Sequence, residues 1–178
     1  MALKATIYKA GLQIADLDRN YYQDHALTLA RHPSETDERM MVRLLAFALN
    51  ASDAMEFGRG ISTEDEPALW QKDLTGAIEC WIEVGQPDER ALRKACGRAD
   101  RVIVYAYGRG VDVWWSQNAK AFSKLDKLTV FMLQPSECAA LAALAERTMQ
   151  LQCTVQEGQT LWVCDGGTVQ VEPRLMSA

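Results

Sequence analysis

Residues 77–84, Ala-Ile-Glu-Cys-Trp-Ile-Glu-Val, alternate as only a β-strand can use. Ile78, Cys80, Ile82 and Val84 fall on one face, and Ala77, Glu79, Trp81 and Glu83 on the other. Gly85-Gln86-Pro87 ends the run, and Asp88-Glu89 open a helix at the end where its dipole favours acids. That helix extends to about Ala99 and leads into Arg101–Tyr107, an apolar run of the kind found in strands buried on both faces. A second helix from Val111 to about Phe122 and a strand at Leu128–Leu133 repeat the arrangement. Two overlapping strand–helix–strand units, 77–107 and 101–133, predict parallel right-handed crossovers and an α/β fold, a mixed sheet flanked by helices.

The flanking segments extend this plan. Lys4–Ala15 has the pattern of a strand or hairpin with a turn near Ala10-Gly11, and Asp16–Ala30 that of a helix with Leu17, Tyr21, Leu27 and Ala30 apolar. Ser34 is a candidate N-cap for a strong helix carrying Met40, Met41, Leu44, Leu45 and Ala48. Short strands are expected at 55–62 and 68–72, the latter turning at Leu74-Thr75-Gly76 into 77–84. A last helix, capped by Ser136, runs to Arg147. Two or three antiparallel strands then occupy 149–172, turning at Glu157-Gly158 and Asp165-Gly166-Gly167. The expectation is one domain over 1–178, with added antiparallel strands from both termini.

Composition removes several function classes. No apolar run approaches the ~20 residues of a membrane span, and no apolar leader precedes the first strand pattern, so no membrane partner is expected. Five cysteines without Cys-x-x-Cys spacing argue against a disulfide framework or structural zinc site, and place the chain in a reducing cytoplasm. His25 and His32 lack metal-ligand spacing, and there is no phosphate-binding glycine loop or nucleophile elbow. The net charge of −5 does not announce a nucleic-acid binder, although a local basic stripe outweighs the total.

The chemistry-bearing candidates are acids. Glu83 lies inside an apolar strand, and a buried carboxylate is costly unless paired; a divalent metal is one such partner. Asp73 precedes the bend and Glu79 shares the face of Glu83. A tight turn at 74–76 brings Asp73 nearer 77–79 than Glu83, so Glu79 and Asp73 are rival partners of Glu83. Each acid has a structural reading too: Glu83 as an edge acid paired with a helix arginine, Asp73 as a turn acid, Glu38 as a helix N-terminal acid.

Several segments carry a family resemblance. Met1–Lys9, His32-Pro-Ser-Glu-Thr-Asp-Glu-Arg-Met-Met41, Asp65-Glu-Pro67 and Trp81-Ile-Glu-Val-Gly-Gln-Pro-Asp-Glu89 resemble the YaeQ family over nearly the whole chain. The resemblance implies a variant PD-(D/E)XK restriction-endonuclease-like fold. It carries the first acid of that nuclease motif onto Asp73, the second onto Glu83 and a helical acid onto Glu38. Gly85 stands where the motif has its lysine, and Lys94 on the following helix is a candidate substitute.

On this reading Glu38, Asp73 and Glu83, with Glu79 as rival or addition, would hold Mg²⁺, and Asp73, Glu83 and Lys94 would carry catalysis on a nucleic-acid phosphodiester. Arg90, Arg93 and Lys94 form one stripe with Arg98, and Arg59 lies between glycines, so these are the candidate contacts to DNA or RNA phosphates. A solvated face is the alternative for the stripe. The competing function is a non-catalytic nuclease-like fold that binds nucleic acid or a protein, which Gly85 favours.

Overall fold

The structure, a computed structural model, describes residues 4–59 and 65–177. Eleven strands and four helices occur among them, in two sheets. The first sheet contains β1 (Thr6–Asp16), β2 (Tyr21–Arg31), β8 (Thr148–Gln156), β9 (Gln159–Cys164) and β10 (Gly167–Val171), in the order β10-β9-β8-β1-β2. The second contains β3 (Met55–Phe57), β4 (Leu69–Lys72), β5 (Ile78–Val84), β6 (Ala99–Ala106), β7 (Leu128–Met132) and β11 (Arg174–Met176), in the order β11-β7-β6-β5-β4-β3. Both are mixed: β1 runs parallel to β8, and β5, β6 and β7 are mutually parallel.

The helices α1 (Asp37–Asn50), α2 (Glu89–Arg98), α3 (Val111–Phe122) and α4 (Pro135–Ala142) divide between two apolar layers. Met40 to Ala48 of α1 are all buried, as a helix enclosed on every side requires. The inner faces of β1 and β8, α1, α4 and the Cys80–Ile82–Val84 and Ile103–Tyr105 faces of the second sheet form one core. Trp81, Val102 and Val104, on the other face, pack with Leu92 of α2 and Trp114 and Phe122 of α3.

Both predicted parallel units are present, and the sequence assigns β3 to β7 with α1 to α3 in order. Of the strand expected at 55–62, Met55–Phe57 is formed and residues 60–62 lie outside the described residues. The tail strands turn where expected.

Four local expectations are corrected. Residues 21–30 are not helical: they pair along their length with β1, and the reversal uses Asn20 at φ 55°. The chain does not turn at Ala10-Gly11, because Gly11 continues β1 beneath Gln150, where a β-carbon would lie 2.4 Å from the amide oxygen. Thr36, not Ser34, caps α1 by accepting the Arg39 N–H at 3.1 Å. Gln134, not Ser136, precedes α4 with Pro135 in its first turn, and the helix stops at Ala142.

All five cysteines are free, four of them buried, and act as small apolar residues. No described helix is long and apolar enough to cross a membrane.

Candidate functional site

The β4–β5 hairpin decides which acids can meet. Leu69 pairs with Ile82, Trp70 with Trp81 and Gln71 with Cys80, so Glu83 lies at the open end of the hairpin, level with the chain entering β4. Asp73 lies at the closed end, its N–H donating to the Ala77 carbonyl at 2.9 Å. At about 3.3 Å per residue the two acids are separated by roughly 16–20 Å along the strand. The expected convergence of Asp73 with Glu83 is therefore corrected: a hairpin brings together residues equidistant from its turn, and these are not.

Asp73 is committed to that turn. Its Oδ1 accepts from Thr75 N–H at 2.8 Å, Thr75 Oγ at 2.6 Å and Ala77 N–H at 3.0 Å. The Thr75 hydroxyl and these amides hold its carboxyl below the usual value.

Glu79 is corrected as well. The register slips between Gln71 and Lys72, inserting an extra residue in β5. Ile78 consequently joins the Trp81 layer, although it begins the Cys80–Ile82–Val84 alternation in the sequence. Glu79 turns to Gln71, whose Nε2 donates to it at 2.7 Å while Ser52 Oγ donates to Gln71 at 2.6 Å. It therefore does not share the face of Glu83.

Glu83 is the acid whose chemistry is perturbed. It is half-buried beside Trp81, whose indole N–H donates to Oε1 at 2.9 Å. Burial pushes its carboxyl up from 4.5 to about 7, and neither the Trp81 hydrogen bond nor the charge of Arg39 offsets this. Arg39, in the first turns of α1, ion-pairs with buried Glu35, which also accepts from buried Arg43 at 2.7 and 2.9 Å. Arg39 therefore places the start of α1 near Glu83. Glu38 of the same turn lies by Tyr107 and Cys138: burial pushes both up to about 12, and the charge of Glu38 adds to the rise.

Gly85, at the position of the motif lysine, adopts φ +100° and its N–H donates to the Tyr105 carbonyl at 3.0 Å. A lysine there would be strained. Lys94 turns instead to the loop before β4, its Nζ 3.2 Å from Asp65 Oδ1, and Arg98 Nη1 donates to the Asp65 carbonyl at 3.0 Å. Arg59 pairs with Glu66 at 3.3 Å, and Arg93 ion-pairs with Glu89. Arg90 is exposed, and no described residue ion-pairs with it.

The hairpin end thus collects Glu83, Arg39, Tyr107 and the Asp65-Glu66-Pro67 segment, with Gln86 Nε2 tying it to the Tyr107 and Arg109 carbonyls at 3.0 Å each. Asp73 and Glu79 are directed elsewhere, and Lys94 is held by Asp65. No group of three or more His, Cys, Asp or Glu side chains placed to hold a metal occurs among the described residues.

Comparison with known proteins settles the family. A description of the family named "YaeQ protein" matches residues 1–173. The chain belongs to the YaeQ family. It is 49% identical to the YaeQ protein of Salmonella typhi and 48% identical to that of Escherichia coli K12, each over 166 residues, 93% of this chain and 91% of theirs. Among solved structures, it superposes on the YaeQ protein of Xanthomonas axonopodis pv. citri with TM-score 0.95 at 48% identity, covering 98% of this chain and 99% of that one. The match to YaeQ of Pseudomonas syringae has TM-score 0.94 at 37% identity, covering 98% and 97%. The names of these relatives carry no activity, so function rests on the site.

Proposed function

We propose that this YaeQ-family chain is a non-catalytic module of variant PD-(D/E)XK type that binds nucleic acid along α2 and the open end of the β4–β5 hairpin. The observation that carries the reading is the dispersal of the acids. Glu83 stands at one end of the hairpin, Asp73 is consumed by the turn at the other, and Glu79 has turned to Gln71. A phosphodiesterase needs a divalent ion to activate water and neutralise developing charge, and among the described residues no three His, Cys, Asp or Glu side chains are grouped to hold one.

Binding asks less. Arg90, Arg93, Lys94 and Arg98 are exposed on one helix. The Arg93–Glu89 and Lys94–Asp65 pairs are solvent-accessible, and such pairs are worth only about 0.2–1 kcal/mol, so a phosphate can displace them. Fluorescence anisotropy with a labelled single-stranded oligonucleotide tests the reading. Affinity should fall steeply with salt, and Arg93→Ala and Lys94→Ala should each lessen that dependence by about one counterion. Affinity indifferent to both salt and these substitutions would remove the proposal.

One observation favours a second reading, Mg²⁺-dependent hydrolysis. Glu83 is a half-buried acid with a single N–H donor, and a divalent cation beside it would stabilise its ionised form. Glu83 would then supply one ligand and the substrate phosphate others. Cleavage that requires Mg²⁺ and disappears in Glu83→Gln would establish this reading instead.

A further inference from the structure

On the face of the second sheet opposite Trp81 and Glu83, the two sheets leave a cavity of about 320 Å³, large enough for a small organic molecule. Arg101, Ile103 and Tyr105 of β6 and Thr129 and Phe131 of β7 form its floor. The end of α1 closes one side with Leu49 and Asn50, and the β8–β9 hairpin another with Val155 and Gly158. The floor is aromatic, with the Tyr105 and Phe131 rings stacked on each other at 5.4 Å and 12° between their planes.

The polar groups around this cavity are mostly satisfied, with two exceptions. Asp16 is paired with Arg19 at 2.7 Å, and Asp18 accepts the N–H groups of Glu157 and Gly158 at 2.8 and 2.9 Å. Tyr105, by contrast, accepts from Asn50 Nδ2 at 2.8 Å but has no described acceptor for its own O–H, although the side chain is only 3% exposed. Arg101 forms no ion pair with any described residue. The Tyr105 O–H is thus a buried donor without an acceptor, which is costly, and Arg101 is an exposed guanidinium whose charge no described carboxylate neutralises.

We infer that this cavity is a binding site for an apolar molecule bearing a carboxylate, with the apolar body against Tyr105 and Phe131 and the anionic group on Arg101. The apolar walls supply burial, and the guanidinium supplies the charge-assisted hydrogen bonds that select an acid over a neutral or cationic analogue. The site is distinct from the α2 surface: it lies between the sheets, lined by β6, β7 and the end of α1, and does not depend on nucleic-acid binding.

Isothermal titration of the full chain with 2-naphthoate, and with 2-naphthylmethylammonium as the cationic counterpart, tests the inference. One naphthoate should bind per chain and the ammonium analogue should not. Arg101→Gln, a change at an exposed residue, should weaken naphthoate by about tenfold or more. Thr129→Phe, which fills the cavity from its floor, should abolish binding with the melting temperature retained. If that variant fails to fold, Leu49→Trp fills the cavity from the helix side. No detectable naphthoate binding at millimolar concentration would overturn the inference. So would equal binding of the ammonium analogue, or binding that survives either the Arg101 or the cavity-filling substitution.

Discussion

Glu83→Gln should make this protein more stable at alkaline pH and leave it nearly unchanged in acid. The neutral amide keeps an oxygen for the Trp81 N–H and removes the charge that burial opposes. The rise from 4.5 to about 7 means that the folded chain holds a proton which the unfolded chain has lost across that interval. Stability from this group is complete below pH 4.5 and is lost as pH climbs to about 7. At 1.36 kcal/mol per pH unit the loss amounts to about 3 kcal/mol. Urea unfolding at pH 5 and pH 8 measures it: wild type and Glu83→Gln should differ little at pH 5 and by about 2–3 kcal/mol in favour of the variant at pH 8. For a chain of this size that corresponds to roughly 6–10 °C in melting temperature. A stability difference that is the same at both pH values would refute the assignment of Glu83 as a half-buried, charge-penalised acid.

Asp73→Ala should leave Mg²⁺ and oligonucleotide titrations unchanged while raising amide hydrogen exchange at Thr75 and Ala77, which lose their acceptor. Because the Asp73 carboxyl is held below its ordinary value, the support it gives the hairpin is present at neutral pH and lost as pH falls through the folded value; amide exchange across pH 2–5 would follow it. Glu35→Ala strands Arg43, only 2% exposed, without its carboxylate, and should cost about 3–5 kcal/mol in urea unfolding. Gly58→Ala places a β-carbon 1.9 Å from the Pro67 carbonyl oxygen, so it should cost about 1–3 kcal/mol and shift the loop that carries Asp65.

Most of the second sheet is legible in the sequence because its strands and helices alternate, and each change of period is marked by Gly, Pro or an N-cap acid. β2 is not legible. It is an edge strand, with only Leu29 fully buried, so its inward side carries Gln23 and His25 and lacks the alternating contrast that β1 shows. Pairing with β1 settles it, and no window of local sequence contains that partner.

The site was legible in part for a related reason. Glu83 stands out as an acid in an apolar strand, but the bulge that redirects Glu79 has no composition signal. The partner end of Glu83 had a signal: counting pairs outward from the 74–76 turn sets Pro67 opposite Glu83, one residue from the register the bulge produces, and brings Asp65-Glu66-Pro67 to that end. Arg39 comes near Glu83 only through packing of α1 against the sheet, which sequence spacing does not encode.

We propose that the fold binds nucleic acid without cutting it. The most direct measurement incubates wild-type protein with a labelled single-stranded oligonucleotide in Mg²⁺ and follows anisotropy and fragment length in the same samples. Salt-sensitive binding with the oligonucleotide intact over hours is the expected result. Mg²⁺-dependent fragments that vanish in Glu83→Gln would contradict it.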